Sequence, residues 1–318
     1  MGTRPTAALA TPLATTAAPA RRAARTAARL LAALLALLAC VAAAHAADFS
    51  DTAISWRYGQ RFREPYIAAD IQKNVIALTH ISTYAYGSNY FNADLLQSDK
   101  NDPASLTQDA GAQEAYIVYR HTLDIGAVLG RELRFGAVKG VGAVLGFDWN
   151  TKNDVGYSSR KRMLVVGPTL IWDVTVSGVP GVLNTGIFLL RESNAPSGPF
   201  PPISQVRGRT TYDLHPMLAA SWSIPLSTAW APGWAFDGYV EFIAGKGLDE
   251  TGRRTGPETN FDGQVMYDIG SRFGQKPRRF RIGFEYQLWN NKFGNTAAST
   301  GNRGQRASTP MVRAEYHF

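Results

Sequence analysis

The chain has 318 residues, of which 45% are hydrophobic and 18% are charged, with one cysteine and a formal net charge of +8 at pH 7. This composition excludes a disordered tail, a disulfide-stapled small domain and a collagen-like repeat. Five arginines and no acidic residue lie in residues 1–46, which leaves 28 of the 33 basic residues against 25 acidic residues in the remainder. The body of the chain is therefore close to neutral, and its charge gives no support to nucleic-acid binding.

Residues 1–46 are predicted to be a secretory signal peptide. Arginines precede an apolar run at residues 30–39, and small residues follow at Ala44 and Ala46 in an A-x-A cleavage pattern. Cleavage there leaves a single domain over residues 47–318 that contains no cysteine, which excludes disulfides, zinc thiolate sites and a thiol nucleophile. A second interpretation takes residues 37–40 as a lipoprotein box that would make Cys40 a lipidated first residue.

The mature chain shows period-two alternation of apolar and polar side chains in segments of about 9–13 residues, the length that a tilted strand needs to cross a bilayer. In each of the last five segments one face is apolar and the other is charged. The twelve predicted strands are 52–60, 74–84, 89–97, 113–123, 141–149, 162–173, 182–191, 211–222, 234–244, 260–270, 280–288 and 309–318.

Two interpretations fit such strands, a soluble sandwich and a transmembrane barrel. The barrel is favoured because large aromatic side chains, Trp222, Trp234, Tyr316 and Phe318, lie near strand ends, where a barrel places its interfacial girdles. Long polar connections also alternate with short Gly/Pro-marked turns, except at the long link 124–140. We therefore predict an all-β fold, a twelve-stranded antiparallel transmembrane barrel of the bacterial outer membrane with both termini periplasmic.

Several short patches carry a resemblance to a known family. They are Trp56-Arg57-Tyr58-Gly59, Phe62-Arg63-Glu64-Pro65, Tyr86-Gly87-Ser88-Asn89-Tyr90-Phe91 leading to Asp94, Arg134-Phe135-Gly136-Ala137-Val138-Lys139, and Tyr316-His317-Phe318. In these patches the chain resembles the nucleoside-specific channel-forming outer-membrane proteins (Tsx-like). The resemblance implies a twelve-stranded barrel that lets nucleosides diffuse passively through a narrow polar pore. No nucleoside-contacting residue is carried over from it.

If the apolar face of each strand meets lipid, the opposite face lines the lumen. The predicted lumen residues, which are also the candidate solute contacts, are Glu114, Tyr116, Arg120, Asp148, Asp213, Asp237, Tyr239, Glu241, Asp262, Asp268, Arg281, Glu285, Arg313 and Glu315. In the last five strands this wall is mostly acidic, which favours neutral hydroxyl-rich solutes or cations over anions. The alternative is that these charges form ion pairs that plug and rigidify a small lumen. The sequence predicts no cofactor and no metal site.

An enzymatic alternative rests on His80-Ile81-Ser82. Period two places His80 and Ser82 on one strand face, roughly 7 Å apart along the strand, as a lipid hydrolase of the phospholipase or lipid A deacylase type would need. Asn89 or Asn92 would then be the residue available to orient the histidine. The predicted topology puts the pair toward the periplasmic end, away from lipids of the outer leaflet.

Basic residues of the predicted outer loops have two interpretations. They are either solvated loop residues or an outer rim that binds phosphates of lipopolysaccharide. The residues concerned are Lys152, Arg160, Lys161, Arg162, Arg253, Arg254, Arg303 and Arg306.

Overall fold

A computed structural model describes residues 48–106, 111–199, 202–226 and 232–318. The predicted signal peptide and its cleavage site, with Cys40, lie outside these residues. The strands are β1 Phe49–Phe62, β2 Ile71–Tyr84, β3 Gly87–Ser98, β4 Ala112–Asp124, β5 Val138–Lys152, β6 Arg162–Trp172, β7 Val174–Val176, β8 Val179–Asn194, β9 Thr210–Thr211, β10 His215–Pro225, β11 Trp234–Ile243, β12 Glu258–Asp268, β13 Phe280–Asn290 and β14 Ala307–His317.

The strands form one closed antiparallel barrel. Each long strand pairs with the next long strand along the chain, β10 pairs with β8, and β14 pairs with β1 to close the ring. The short strands β7 and β9 each pair only with β8, so the wall contains twelve strands. All twelve predicted strands are confirmed, and the prediction of a twelve-stranded antiparallel barrel with them.

In the residues that the structure describes, helical segments are short and lie in the connections. There they comprise two α-helices, Ile125–Leu129 and Ala297–Thr300, and three 3-10 turns, Ile203–Gln205, Gly270–Phe273 and Lys292–Gly294. The first helix occupies the link 124–140 that broke the predicted loop pattern. Asp124 caps it by accepting a hydrogen bond from the Ala127 amide, and Gly130 ends it with φ 63°. Among the described residues, no helix is long and apolar enough to span a membrane.

The connections differ in length at the two ends of the barrel. At one end, here the loop end, lie the connections 63–70, 99–111, 153–161, 195–214, 244–257 and 291–306. At the other, the turn end, lie 85–86, 125–137, 173–178, 226–233 and 269–279, together with Asp48 and Phe318. Each connection at the loop end is longer than its neighbours at the turn end, except beside 125–137, the long link that the sequence had already set apart.

The outside of the barrel is apolar. On β13, for example, Phe284 points outward with 70% of its surface exposed, whereas its neighbour Glu285 points inward with 2% exposed. Exposed apolar side chains continue around the ring with Leu145, Leu164 and Ile187. A closed barrel with this inversion, apolar outside and charged inside, is a transmembrane barrel, because lipid and not water must cover the outer face.

The buried core lies inside the ring. Part of the inner wall is apolar, with a cluster formed by Val144, Met163, Val165, Phe188, Leu190 and Met217 on β5, β6, β8 and β10. The rest of the wall, from β11 through β1 to β4, carries most of the charged side chains. The interior is therefore divided into an apolar side and a charged side, a division that the period-two pattern did not predict.

Candidate functional site in the barrel interior

The interior face is fixed by strand register. On β11 to β14, Asp237 lies opposite Gln264, Asp268 opposite Arg281, and Arg281 opposite Glu315. Asp237, Asp268, Arg281 and Glu315 are buried, so they and every second residue from them along each strand point into the barrel. The predicted residues that lie on the interior face are Glu114, Tyr116, Arg120, Asp148, Asp237, Tyr239, Glu241, Asp262, Asp268, Arg281, Glu285, Arg313 and Glu315. Their contact with a solute stays a prediction.

Asp213 is placed differently from the prediction. The strand predicted at 211–222 begins only at His215, so Asp213 belongs to the preceding connection, where it is exposed at the loop end. Tyr212 lies on the apolar parity of the predicted strand, which was expected to face lipid, but it is buried. The Lys246 ammonium lies 4.2 Å from the centroid of the Tyr212 ring, and the Tyr212 hydroxyl donates a hydrogen bond to Glu250 Oε1. Period-two parity fails here because these residues precede the strand.

A chain of alternating charges links four strands across the charged side of the lumen. Arg57 on β1 bridges Asp94 on β3 at 2.6 Å and Glu285 on β13 at 3.0 Å. Glu285 also pairs with Arg313 on β14 at 2.7 Å, and Arg313 pairs with Glu315 on the same strand at 2.6 Å. Each arginine is therefore shared by two carboxylates, which offsets the cost of burying these charges.

The chain of charges continues toward the turn end. Arg281 joins Glu315 at 2.5 Å to Asp237 on β11 at 2.8 Å, and Asp237 also accepts a hydrogen bond from Ser223. His317 lies beside Asp51 at 2.9 Å. Three of the carboxylates of the wall predicted to be mostly acidic, Asp237, Glu285 and Glu315, are thus paired with arginines. One of these arginines, Arg57, lies on a strand outside the last five. These members of the set form ion pairs, as the alternative interpretation expected, and a plugged lumen stays a prediction.

Asp268 has a local role. Its carboxylate accepts hydrogen bonds from the backbone amide of Arg278 and from the Ser271 hydroxyl and amide. It therefore holds the turn 269–279 and does not present its oxygens to the centre of the lumen.

A second group lies where β4 and β5 face β11. Arg120 pairs with Asp148 at 2.6 Å, the Tyr116 hydroxyl donates to the other Asp148 oxygen at 2.8 Å, and Lys161 donates to the Tyr116 hydroxyl at 3.3 Å. Glu241 on β11 lies within electrostatic reach of Arg120 and Asp148. The side chains of these strands therefore approach one another across the interior.

Glu241 differs from the other interior carboxylates. It is half-buried and, in the part of the chain that the structure describes, has neither a hydrogen-bond nor an ion-pair partner. Two residues away on the same face, the Tyr239 hydroxyl accepts a hydrogen bond from Asn260 at 3.2 Å. An unpaired carboxylate within electrostatic reach of two tyrosines, Tyr116 and Tyr239, is a suitable acceptor for hydroxyl groups of a solute.

Several buried polar atoms of the interior also have no protein partner. They are Ser55 Oγ, Asn150 Oδ1, Asn260 Oδ1 and Gln264 Oε1, together with Arg57 Nε. A buried polar atom without a hydrogen bond costs roughly 1–3 kcal/mol. These atoms therefore favour water or polar solute in the interior.

A third network lies at the loop end, and the sequence did not predict it. Three ammonium groups, of Lys73, Lys152 and Lys292, surround Glu64, and two of them also contact Asp102. Burial alone would raise the pKa of Glu64, but the three ammonium groups outweigh it and hold that pKa well below its usual range. Lys152 and Lys73 lower the pKa of Asp102 against burial in the same way. The network ties the connections 63–70, 99–111 and 291–306 to the wall.

His80 and Ser82 do share a face, the outer face of β2, but they do not form a catalytic pair. His80 Nδ1 is 2.8 Å from the Thr52 hydroxyl, and Ser82 Oγ accepts a hydrogen bond from Asn89 at 3.4 Å. No hydrogen bond joins His80 to Ser82 in the described residues. Asn92 bonds Thr79 and Asp94 instead. The geometry does not favour the lipid hydrolase.

The predicted basic rim is only partly on the surface. Lys152 is buried in the loop-end network, Lys161 reaches inward to Tyr116, and Arg253 stacks over the Tyr66 ring at 5.6 Å. Arg160 and Arg162 are exposed on the outside. In addition, no group of three or more metal-ligating side chains occurs among the described residues.

The interior residues that the sequence did not predict differ in whether their sequence pattern indicates an inward direction. Arg57 and Asp94 follow the period-two parity of their strands, so that rule could have placed them inside. Glu64, Asp102 and Lys292 lie in irregular connections, where no periodicity indicates a direction.

The chain is similar to solved structures that include the following three. The translocator domain of the autotransporter NalP from Neisseria meningitidis is 12% identical, over 92% of this chain and 98% of that chain, with a TM-score of 0.47. The KdgM porin is 8% identical over 84% and 99%, with a TM-score of 0.38. OccK5 (OpdH) of Pseudomonas aeruginosa is 9% identical over 86% and 98%, with a TM-score of 0.29.

Such identities and TM-scores transfer no activity to this chain. No protein-family model and no curated protein matches it.

Proposed function

We propose that the chain is an outer-membrane channel through which small polar solutes, nucleosides in particular, diffuse passively. The closed barrel with an apolar exterior and a charged interior supports this proposal, since such a wall separates lipid on the outside from water on the inside. The Tsx-like sequence patches point to nucleosides as the solute class. The barrel needs no cofactor for this function.

The proposed orientation puts both termini and the turn end in the periplasm and the loop end outside the cell. Bacterial outer-membrane barrels have short periplasmic turns and longer external loops. The difference between the two ends supports this orientation. Export through a signal peptide cleaved near Ala46 is part of the same proposal.

The single observation that carries the proposal is the free carboxylate of Glu241 in an interior where most other carboxylates are paired. Ribose hydroxyls are donors that a carboxylate accepts, and Tyr116 and Tyr239 offer flat faces to a base. The apolar cluster around Phe188 adds a surface that does not compete for hydrogen bonds. Weak contacts of this kind let a solute bind and also leave, as conduction requires.

The ion pairs define what the channel excludes. Because Arg57, Arg281 and Arg313 fix the carboxylates of Asp94, Asp237, Glu285 and Glu315, these side chains form a rigid part of the wall. Three arginines against four carboxylates leave one net negative charge, and Glu241 and Asp262 add to it without an ion pair in the described residues. The wall therefore favours neutral solutes and cations over anions, and selects among them by width and by the few free polar atoms.

The test is liposome swelling with purified protein and a panel of nucleosides set against sugars of equal size. The proposal expects nucleosides to enter faster than the matched sugars. Equal rates for both groups would remove nucleoside specificity and leave a general channel. No swelling with any solute would contradict the channel and favour a closed barrel with a structural role.

A further inference from the structure

Four arginines gather on the outside of the barrel at the loop end of β6 and β8. Arg162 begins β6 and pairs in register with Ser193 of β8, while Arg191 pairs with Leu164. The Arg209 guanidinium donates to the Arg160 carbonyl at 2.8 Å and to the Ser193 hydroxyl at 3.2 Å. Two adjacent strands and two connections therefore bring Arg160, Arg162, Arg191 and Arg209, here the arginine patch, to one place.

The arginine patch lacks a counter-charge in the part of the chain that the structure describes. None of its four guanidinium groups pairs with a carboxylate in the described residues, whereas Arg57, Arg120, Arg281 and Arg313 inside the barrel all do. Burial lowers the pKa of Arg209, and the positive charges of Arg162 and Arg160 lower it further. Like charges held this close repel one another unless an external anion binds between them.

The position of the patch relative to the membrane is set by the strands. Arg162 and Arg191 point outward, and the next outward residues along β6 and β8 are the exposed apolar side chains Leu164 and Leu189, about 7 Å away. Trp149, the register partner of Arg162, also lies on the outer face. An arginine beside an aromatic ring just above an apolar belt lies at the level of lipid headgroups.

We propose that the arginine patch binds phosphate groups of lipopolysaccharide in the outer leaflet. A guanidinium group matches phosphate oxygens with two parallel hydrogen bonds, and lipid A presents phosphates beside acyl chains that would cover Leu164 and Leu189. The proposal depends on the orientation stated above but not on conduction, so the failure of one does not entail the failure of the other.

The test compares binding of lipid A that carries its phosphates with binding of dephosphorylated lipid A, by thermophoresis of the detergent-solubilised protein. The wild-type protein is expected to bind the phosphorylated form at least about tenfold more tightly, since the dephosphorylated form offers no phosphate to the four guanidinium groups. Replacing all four arginines of the patch by glutamine is expected to abolish this preference.

The matched control removes four basic residues at the turn end, with Arg272, Lys276, Arg278 and Arg279 each replaced by glutamine. It loses the same net charge and is expected to keep the preference. Heat-modifiable mobility on gels verifies that both variants are folded. Equal loss in the control, or equal binding of both lipid A forms by the wild type, would overturn the proposal. Equal binding of phosphatidylglycerol micelles would also overturn it, because the patch would then be a general anion surface.

Discussion

At the scale of single residues, Glu241 is the carboxylate on which solute recognition depends in this account. Changing Glu241 to Gln keeps its size but removes the charge, so a hydrogen bond to a ribose hydroxyl weakens by about 1 kcal/mol, roughly fivefold in affinity. We expect the nucleoside concentration that half-blocks the ion current in planar bilayers to rise by that factor. Asp213→Asn, which removes a carboxylate in an exposed connection, is expected to leave it unchanged. An equal rise for both variants would contradict the assignment of Glu241.

Arg57 is predicted to be structural. Arg57→Ala leaves Asp94 and Glu285 buried with one partner fewer, which costs about 3–5 kcal/mol of unfolding free energy for a buried pair. Arg134→Ala is the matched control, because Arg134 pairs with Asp173 on the surface with about half of each side chain exposed, and such pairs contribute about 1 kcal/mol or less. Denaturant titration of the refolded protein in vesicles measures both. Similar losses for the two variants would show that the interior pairs are well hydrated.

At the scale of strands, the outer face of β8 provides a test of the membrane assignment. Ile187, in the middle of β8, is 62% exposed, and Leu214, in the connection before β10, is 57% exposed. Replacing Ile187 by Arg is expected to cost about 2–4 kcal/mol of unfolding free energy in vesicles, whereas Leu214→Arg costs little. Two equal effects would indicate that both residues meet the same solvent, as in a water-soluble sandwich.

The loop-end network makes a prediction about pH. Glu64 and Asp102 have pKa values below their usual ones, so their ion pairs stabilise the folded state above the unfolded carboxyl pKa of about 4 and weaken only as pH falls through the lower folded values. The unfolding temperature, read from heat-modifiable gel mobility, is therefore expected to change little between pH 7 and pH 5 on account of these groups. Glu64→Gln is expected to lower it at neutral pH. A loss near pH 6 that occurs in the wild type and is absent from Glu64→Gln would contradict the network.

The strands could be predicted from sequence because their two faces meet different solvents. That contrast repeats every second residue, so segments such as 280–288 are recognisable without any partner. The connections carry no such period, which is why Tyr212 and Asp213 were assigned by a parity that does not extend to them. Lys152 was predicted to lie in an outer loop because the predicted strand ends at 149. In the structure β5 continues to Lys152 and turns its ammonium group inward.

At the scale of the whole molecule, ring closure determines which interior charges meet. Arg57 and Glu285 are 228 positions apart and touch only because β14 pairs with β1 and β13 with β14. Alternation predicts that both point inward but not that they pair, since pairing depends on register around the ring. Alternation therefore placed the predicted lumen residues on the interior face, apart from Asp213, but could not predict which of them pair.

The most direct test of a water-filled passage is the rate at which a membrane-impermeant thiol reagent labels single cysteines in reconstituted vesicles. Glu241→Cys, Phe242→Cys and Asp213→Cys are placed one at a time in a Cys40→Ser background. We expect the cysteines at 213 and 241 to be labelled and the one at 242, on the outer face of β11, to be protected by lipid. Labelling at 213 without labelling at 241 would show that water does not reach the interior, and would contradict the channel.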